Sequence, residues 1–233
     1  WIPLAVGAVA LAVFVARQLR LQREDRALLD LRPFALRPFV VSVVLIVISM
    51  MALFGALILL PLYLQGVLGT DPFVTGLIVL PGGLVMGLLA PFVGRAYDRV
   101  GARPLVIPGA ITLSVALWLL TAFVGAPVWT VVAIHIVISI GIATMLTPLM
   151  TEALGSLPAD LYSHGSAIVS TLQQVAGAAG TALFVTVLTV FSADPAGAAD
   201  VAGSRAAFLI AAVLSVGAVG VSLLMRKKEP ALA

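Results

Sequence analysis

Seven long stretches of apolar residues follow one another along the chain, separated by short joints rich in glycine, proline and aspartate. They cover about residues 1–18, 38–64, 73–94, 104–124, 128–151, 165–192 and 205–225. Each is close to the roughly 20 residues that an α-helix needs to cross a bilayer. None alternates apolar and polar residues as the strands of a membrane barrel do. Because main-chain groups in lipid have to bond to one another, the pattern predicts an all-α polytopic membrane protein.

The overall composition supports this prediction and excludes most soluble classes. Apolar residues make up 62% of the chain and charged residues 10%, whereas a soluble domain has roughly 25% charged residues. A chain with so few polar residues cannot cover a water-facing surface, so lipid is the expected solvent. The net charge of +3 is therefore interpreted as a topology signal, and no nucleic-acid partner is expected. The sequence has no cysteine, which excludes disulfides and thiolate metal sites.

Arginine and lysine are distributed unevenly about the predicted spans. If successive joints lie on opposite sides, 12 of the 13 basic residues fall on one side, and Arg205 alone falls on the other. Basic residues accumulate on the cytoplasmic side of membrane proteins. The rule therefore places the segment GRAYDRVGARP, Gly94 to Pro104, and the C-terminal tail, residues 226–233, in the cytoplasm.

A charged segment separates the first apolar stretch from the other six. Residues 19–37 mix both signs of charge with leucines, so we interpret them as a cytoplasmic linker with an amphipathic part lying at the membrane interface. Residues 38–225 then form one six-helix unit, preceded by a single helix over residues 1–18. Because the sequence starts at Trp1 inside an apolar run, we expect it to be part of a longer protein.

Ionisable residues inside the predicted spans are scarce, and each is a functional candidate because charge is unfavourable in lipid. His135 could line a pathway or carry a proton; the alternative is a neutral histidine bonded to a neighbouring helix. Glu152 could relay protons, or be a solvated carboxylate at the interface. No motif of a soluble enzyme occurs, and two histidines are too few for a histidine-rich metal site. Lysine occurs only in the tail, which excludes a retinal Schiff base.

Small and polar residues form stripes on two of the predicted helices. One stripe follows helical spacing and comprises Ser166, Ser170, Gln173, Gly177 and Thr181, with Gln174 beside it. The other comprises Gly141, Thr144, Pro148 and Thr151. Such stripes suit either close helix packing or the wall of a wet cavity. Thr144, Gln173 and Gln174 therefore join His135 and Glu152 as candidates for a substrate or proton pathway.

The segment between the third and fourth stretches carries the most specific pattern in the chain. Its residues Gly94, Asp98, Arg99, Gly101 and Arg103 are spaced as in the G-x-x-x-D-R-x-G-x-[RK] cytoplasmic loop of the major facilitator superfamily, which this segment resembles. Residues 60–104 also resemble the C-terminal half of 14-helix drug:proton antiporters of the EmrB/QacA type. Residues 165–183 are similar to the penultimate helix of that branch, where arginine is more frequent at the place of Gln173.

The five loop residues are predicted to form a conformational gating loop. Glycine lets the main chain turn and approach a neighbour closely. Asp98 can accept hydrogen bonds from a helix N-terminus or pair with Arg99 or Arg103. Contacts of this kind can form in one conformation and break in another. The alternative is a basic turn that only sets the topology.

The resemblance implies a particular arrangement and activity. Residues 1–18 would be the last of the extra central helices, residues 38–225 the six-helix C-terminal transport domain, and the N-terminal helical domain would be the missing partner. The implied activity is proton-coupled export of a small amphipathic or cationic substrate across a bacterial cytoplasmic membrane. The proton gradient would supply the energy, with no cofactor, no metal and no enzymatic step.

Two other classes of protein remain as alternatives on the sequence alone. A non-transporting membrane sensor or receptor would have a self-sufficient seven-helix fold and no central cavity. An intramembrane enzyme would need a nucleophile and a base at matching depth, and His135 with Ser139 is the only such pair in the sequence.

Overall fold

A computed structural model describes residues 2–22, 27–194 and 198–225 of the chain. Its helices are α1 (Ile2–Leu21), α2 (Arg37–Gly66), α3 (Pro72–Val100), α4 (Arg103–Ala122), α5 (Val128–Gly155), α6 (Tyr162–Phe191) and α7 (Val201–Ser222), with short 3-10 helices at Arg32–Ala35 and Ala159–Leu161. Within the described residues, the six helices from α2 to α7 are long and apolar enough to cross a membrane. This confirms the all-α polytopic fold class. That residues 1–18 also cross the membrane stays a prediction.

The helices extend beyond the apolar stretches, most clearly at the segment GRAYDRVGARP. Helix α3 continues through Gly94 to Val100, and α4 begins at Arg103. Most of the predicted loop is thus the last turns of α3, and the joint itself is only Gly101 and Ala102. Polar residues can stay helical there because the main-chain groups of a helix bond to one another both inside the membrane and in the water beyond it.

Aspartate caps define where two of the spans begin. The Asp71 carboxylate accepts hydrogen bonds from the main-chain N–H groups of Phe73 and Val74, at 2.9 and 3.0 Å. The Asp200 carboxylate accepts from the N–H of Gly203, at 2.7 Å. Bonds from Gly203 and from Ala193 hold the pKa of Asp200 below its usual value. Both aspartates lie at the end of the bundle opposite Gly101, where the unpaired N–H groups of a helix start favour negative charge.

The six long helices alternate in direction along the chain and pack as one bundle. Helix α5 packs against α2, α3 and α4, while α7 packs against α2, α4 and α6. Helices α3 and α6 therefore lie at the rims, each with much of its surface exposed in this chain. We call the end of the bundle that carries Gly101, the start of α2 and the end of α5 the loop end.

Close approach of main chains holds several of these pairs together. A Cβ placed on Gly180 of α6 would lie 2.7 Å from the Cα of Met51 in α2. A Cβ on Gly141 of α5 would lie 2.8 Å from the main-chain N of Leu113 in α4. Small residues at helix contacts let dispersion contacts accumulate, which is the main attraction between helices in lipid.

Buried hydroxyl groups add specific bonds between helices. The Ser215 Oγ of α7 lies 2.9 Å from the Ser114 Oγ of α4, and also donates to the carbonyl of Ala212. The Tyr63 hydroxyl of α2 accepts a bond of 2.8 Å from the N–H of Gly125, in the joint after α4. These bonds fix the relative depth of the helices, because an unpaired polar group is costly in an apolar interior.

The linker before α2 folds back onto the loop end of the bundle. The Asp30 N–H donates to His164 Nδ1 of α6 at 3.2 Å, and the Asp30 carboxylate accepts from the Arg32 Nε at 2.6 Å. Leucines 29, 31 and 36 pack against the bundle core. Burial raises the pKa of Asp30, but the hydrogen bonds and charge of Arg32 outweigh it and hold that pKa below its usual value.

This docking concerns residues 27–36; that a part of the linker lies at the membrane interface stays a prediction. Within residues 27–36 the chain forms only a four-residue 3-10 helix; Leu29, Leu31 and Leu36 pack against the bundle core, whereas Leu28 is exposed. Asp30 holds this segment in place, because its main-chain N–H donates to His164 of α6 and its carboxylate bonds within the linker. The predicted tail, residues 226–233, lies outside the described residues.

Helix α1 is attached to the bundle through the linker. From Ala5 to Arg20 its side chains are exposed except for Gln18, which is buried and accepts a bond of 3.1 Å from the Leu29 N–H. The Gln22 side chain accepts a second bond, of 3.1 Å, from the Leu31 N–H. In the part of the chain that is described, no helix of the bundle packs along α1.

We predict that Gly180→Ala destabilises the complete protein by about 1–3 kcal/mol, because the new methyl group collides with the α2 main chain. Gly217→Ala is the matched control, since a Cβ at that α7 position meets open space. The control should leave stability unchanged or raise it slightly, as alanine favours a helix over glycine. Thermal unfolding in detergent measures both. Equal effects of the two substitutions would contradict the close contact.

Asp30→Asn is expected to lower stability at neutral pH by about 1 kcal/mol, because solvent screens the half-exposed Arg32. The folded-state pKa of Asp30 is depressed, so its contribution is present above the unfolded-state pKa of about 3.9 and is lost as the pH falls through the folded-state value. The stabilities of wild type and variant should become equal in acid when the unfolding of both is measured as a function of pH. Asp160→Asn, at an exposed site, should have no effect at either pH.

Candidate functional site

The loop signature forms a tight joint between two spans. Gly101 ends α3 with φ of 80° and ψ of −176°, and its N–H donates to the Tyr97 carbonyl at 2.8 Å. This backbone conformation is essentially restricted to glycine. Pro104 occupies the first turn of α4, where the missing N–H is not needed. The backbone conformation thus explains why glycine occupies position 101, which the sequence pattern could only suggest.

The remaining members of the signature differ in exposure. Asp98 and Arg99 are exposed on the last turn of α3, while Arg103 is half-buried at the start of α4. Gly94 lies within α3, and a Cβ placed there would contact nothing within 4 Å in the described residues. Within this chain the signature therefore presents an exposed charged turn beside a rigid joint.

Tyr97 connects this turn to the end of α5. Its hydroxyl donates to the Glu152 Oε2 at 3.4 Å, a long bond that joins two predicted sets of residues, the gating loop and the pathway. Sequence analysis singled out Glu152 and the flanking Asp98 but missed Tyr97. The sequence feature that could have identified Tyr97 is an aromatic side chain between the charged residues of the loop.

Glu152 also lines a small cavity at the loop end. The cavity is enclosed by α2, α5 and the residues after α7, with Arg37, Pro38, Val41, Ser42, Glu152, Leu224 and Met225 as its lining. Arg37 brings a positive charge to the same cavity, and Ser42 brings a buried hydroxyl. Glu152 thus lines this cavity and bonds to Tyr97, and its role in a proton pathway stays a prediction.

His135 lies deeper in α5 and far from Glu152. The two residues are 17 positions apart on one helix, which corresponds to about 25 Å. The imidazole packs against Gly82 of α3 and bonds to the main chain of Val79, while its Nδ1 has no partner within the described part of the chain. It faces an apolar cavity that includes Phe184 and Phe208.

The predicted pairing of His135 with Ser139 does not occur between side chains. The Ser139 Oγ donates to the main-chain carbonyl of His135 at 2.9 Å, one turn back in the same helix. A serine bonded in this way is not activated by an imidazole base. The close contact of α3 with His135 falls at Gly82, whereas a Cβ placed on Gly83 or Gly87 would meet nothing within 4 Å among the described residues.

Thr144 and Gln173 have partners inside the bundle, whereas Gln174 is exposed. The Thr144 hydroxyl donates within its own helix, to the carbonyls of Ile140 and Gly141 at 3.0 and 2.9 Å. The Gln173 Nε2 lies 3.4 Å from the Met150 sulfur of α5. Gln174 is exposed on α6. Their roles in a pathway stay predictions.

The stripe on α6 divides into two parts with different surroundings. Gly177 packs against Phe54 of α2, and a Cβ placed on this glycine would lie 2.9 Å from the ring, so this part is helix contact. Ser166, Ser170 and Gln174 are exposed on the part nearer the loop end. An exposed row of polar side chains on a membrane-spanning helix is unfavourable towards lipid and suits a wet surface.

The architecture first defines a class, a multi-pass helical membrane protein with its basic loops gathered at one end. A profile of the Major Facilitator Superfamily matches residues 1–181, and the chain belongs to that family. The resemblance seen in residues 60–104 and in the loop signature is thereby confirmed. The family is not enzymatic, which excludes the intramembrane enzyme. Because its members are transporters, membership also decides against the sensor or receptor.

Similar proteins are drug-resistance transporters about twice as long or longer. Lincomycin resistance protein LmrB of Listeria monocytogenes is 44% identical over 189 residues, covering 81% of this chain and 40% of that protein. LmrB of Bacillus subtilis is 35% identical over 241 residues, covering 97% and 50%. Multidrug efflux pump LfrA of Mycolicibacterium smegmatis is 29% identical over 188 residues, covering 80% and 37%. The chain thus spans half or less of the length of these relatives.

We predict that Gly101→Val reduces transport strongly in the complete protein without preventing membrane insertion. Any side chain at the observed φ of 80° is strained, by about 1–3 kcal/mol, and the α3–α4 joint would rearrange. Gly94→Ala is the control from the same signature, because its Cβ has room. Transport rate and membrane abundance should be measured together. Normal transport by Gly101→Val would contradict the need for this joint.

Proposed function

We propose that this chain is the C-terminal half of a secondary transporter that exports small amphipathic or cationic molecules in exchange for protons. Its family and its similarity to lincomycin resistance and multidrug efflux proteins support export of small molecules. Its coverage of half or less of these relatives supports the assignment as one half of a transporter. The mostly apolar helix surfaces suit substrates with large apolar parts and few polar anchors.

The proposed topology follows the charges. The loop end is cytoplasmic, because 12 of the 13 basic residues fall on that side. Residues 1–18 are the last of the extra central helices, residues 19–37 a cytoplasmic linker and residues 226–233 a cytoplasmic tail. Residues 38–225 form the transport domain in a bacterial cytoplasmic membrane.

Transport proceeds in this proposal by alternating access. The six-helix bundle rocks against the N-terminal half around a binding site near the middle of the membrane. The exposed polar row of Ser166, Ser170 and Gln174 supports a wet cavity on the α6 side, with Gln173 at its edge. His135 and Thr144 are deeper candidates for the pathway. Glu152 is the candidate proton carrier at the cytoplasmic end.

The observation that most strongly supports the proposal is that the loop signature coincides with the two-residue joint between α3 and α4. Topology alone requires only basic residues there, yet the joint also has a glycine-restricted conformation and a carboxylate at Asp98. The long Tyr97–Glu152 bond ties the same turn to α5. Bonds that hold in one conformation and break in the other shift the balance between inward-open and outward-open states.

Vesicle uptake of a fluorescent cationic dye by the complete protein under an imposed pH gradient tests the function. Gradient-dependent flux is expected, because proton entry drives substrate movement in the opposite direction. Empty vesicles and vesicles with a dissipated gradient are the controls. Lack of gradient-dependent flux over a broad panel of amphipathic and cationic compounds would overturn the proposal.

Asp98→Asn is expected to reduce this flux at least several-fold while leaving membrane abundance unchanged, because it removes the carboxylate but keeps its size. Asp160→Asn is the matched control, an exposed carboxylate in the short helix before α6 at the same end of the bundle. Its flux should equal that of wild type. If both variants transport normally, the loop serves topology only.

A further inference from the structure

The cavity beside Glu152 contains an unpaired polar group with no role so far. Ser42 is 1% exposed, and its Oγ has no hydrogen-bond partner among the residues that the structure describes. A buried hydroxyl without a partner is unfavourable by roughly 1–3 kcal/mol. Serine in a helix can bond to the carbonyl one turn back, as Ser139 does, but the Ser42 Oγ does not, and unlike the unpaired Ser49 it lines a cavity with other polar groups.

The size and lining of the cavity restrict what that ligand is. Its volume is about 10 Å³, close to the smallest volume that admits one water molecule, roughly 10–15 Å³. Ser42, Glu152 and Arg37 provide a hydroxyl, a carboxylate and a guanidinium among apolar neighbours. A buried water needs two to four polar partners, and these three groups meet that requirement. Arg37 disfavours a metal cation, and the volume excludes a larger solute.

We propose that this cavity is a binding site for a single water molecule held between Ser42 and Glu152. The water donates to the Glu152 carboxylate and bonds to the Ser42 Oγ, next to the Arg37 charge. Tyr97 donates to Glu152 from the other side, from the turn that carries the loop signature. The role of this water rests on the proposed function. The water gives the Glu152 carboxylate a hydrogen-bonded route for protons on the side that faces the cavity.

A second cavity provides an internal comparison. It also measures about 10 Å³, but His135 is its only polar lining residue. Its other lining residues are apolar or glycine, namely Ala52, Gly55, Ala56, Leu59, Leu60, Leu117, Leu120, Ile138, Phe184, Phe208 and Ala211. One polar lining residue is fewer than the two to four partners that a buried water needs, so a cavity with this lining stays dry. The two cavities are equal in size but differ in the polarity of their linings. We therefore expect water in the first cavity and none in the second.

X-ray radiolysis of the purified complete protein tests the site, because radicals formed from bound water oxidise the side chains next to it. Met225 lines the first cavity and is 6% exposed, whereas Met145 is fully buried and lines neither cavity. Mass spectrometry should find Met225 oxidised well above Met145. Oxidation of Met225 only to the level of Met145 would overturn the proposal.

Two serine variants separate bound water from solvent that reaches Met225 by another path. Ser42→Ala should lower Met225 oxidation to the Met145 level, because it removes one partner of the water. Ser49→Ala is the matched control: Ser49 is fully buried on the same helix, its Oγ is also unpaired, and it lines neither cavity. It should leave the oxidation unchanged. Unchanged oxidation in Ser42→Ala, or equal loss in both variants, would overturn the site.

The labelling does not depend on transport, so the two proposals can fail separately. Met225 oxidation that requires Ser42, together with no gradient-dependent flux, would support the water site and contradict only the exporter. If both hold, Ser42→Ala should also slow proton-driven dye uptake while Ser49→Ala does not. Unaltered uptake in Ser42→Ala would overturn the proton route.

Discussion

Lipid offers no hydrogen-bond partner to the main chain, and the architecture of this protein follows from that fact. Each crossing has to be a helix that satisfies its own N–H and carbonyl groups. Lipid tails are also as apolar as leucine, so helices associate through close contact and not through burial from water. The contacts of Gly180 with Met51 and of Gly141 with Leu113 therefore position α6 on α2 and α5 on α4. Bonds such as Ser114–Ser215 fix the depth at which those contacts form.

The same constraint gathers the polar chemistry at one end of the bundle. Asp30, Glu152 and the exposed loop charges lie where helices begin and end, since the interior admits few such groups. The joint at Gly101 is rigid, whereas the Tyr97–Glu152 bond is long and lies next to an exposed turn. In the proposed transport cycle, breaking this weak bond would let the rigidly joined helices α3 and α4 shift together.

Sequence patterns located the spans well but identified the contacts poorly. Residues 38–225 were assigned to six helices, and the structure has six in that range. The loop signature was found from its spacing, yet its link to α5 depends on Tyr97, which lies outside the signature. On α3 only the structure shows that Gly82 is the glycine that meets His135, while Gly83 and Gly87 have no such contact. The docking of the linker through Asp30 and His164 joins residues 134 positions apart, and no local pattern contains it.

By itself the sequence determined that this is a helical membrane protein, where its spans lie, which joints are basic and which joint carries the family signature. These properties depend on the composition of continuous stretches and on spacing within a single turn. Only the tertiary structure decided which faces meet, which serines stay unpaired and which carboxylate the loop contacts. The physical reason is that lipid and protein interior are equally apolar here. A helix face turned to lipid and one turned to its neighbour therefore have nearly the same composition, and only packing distinguishes them.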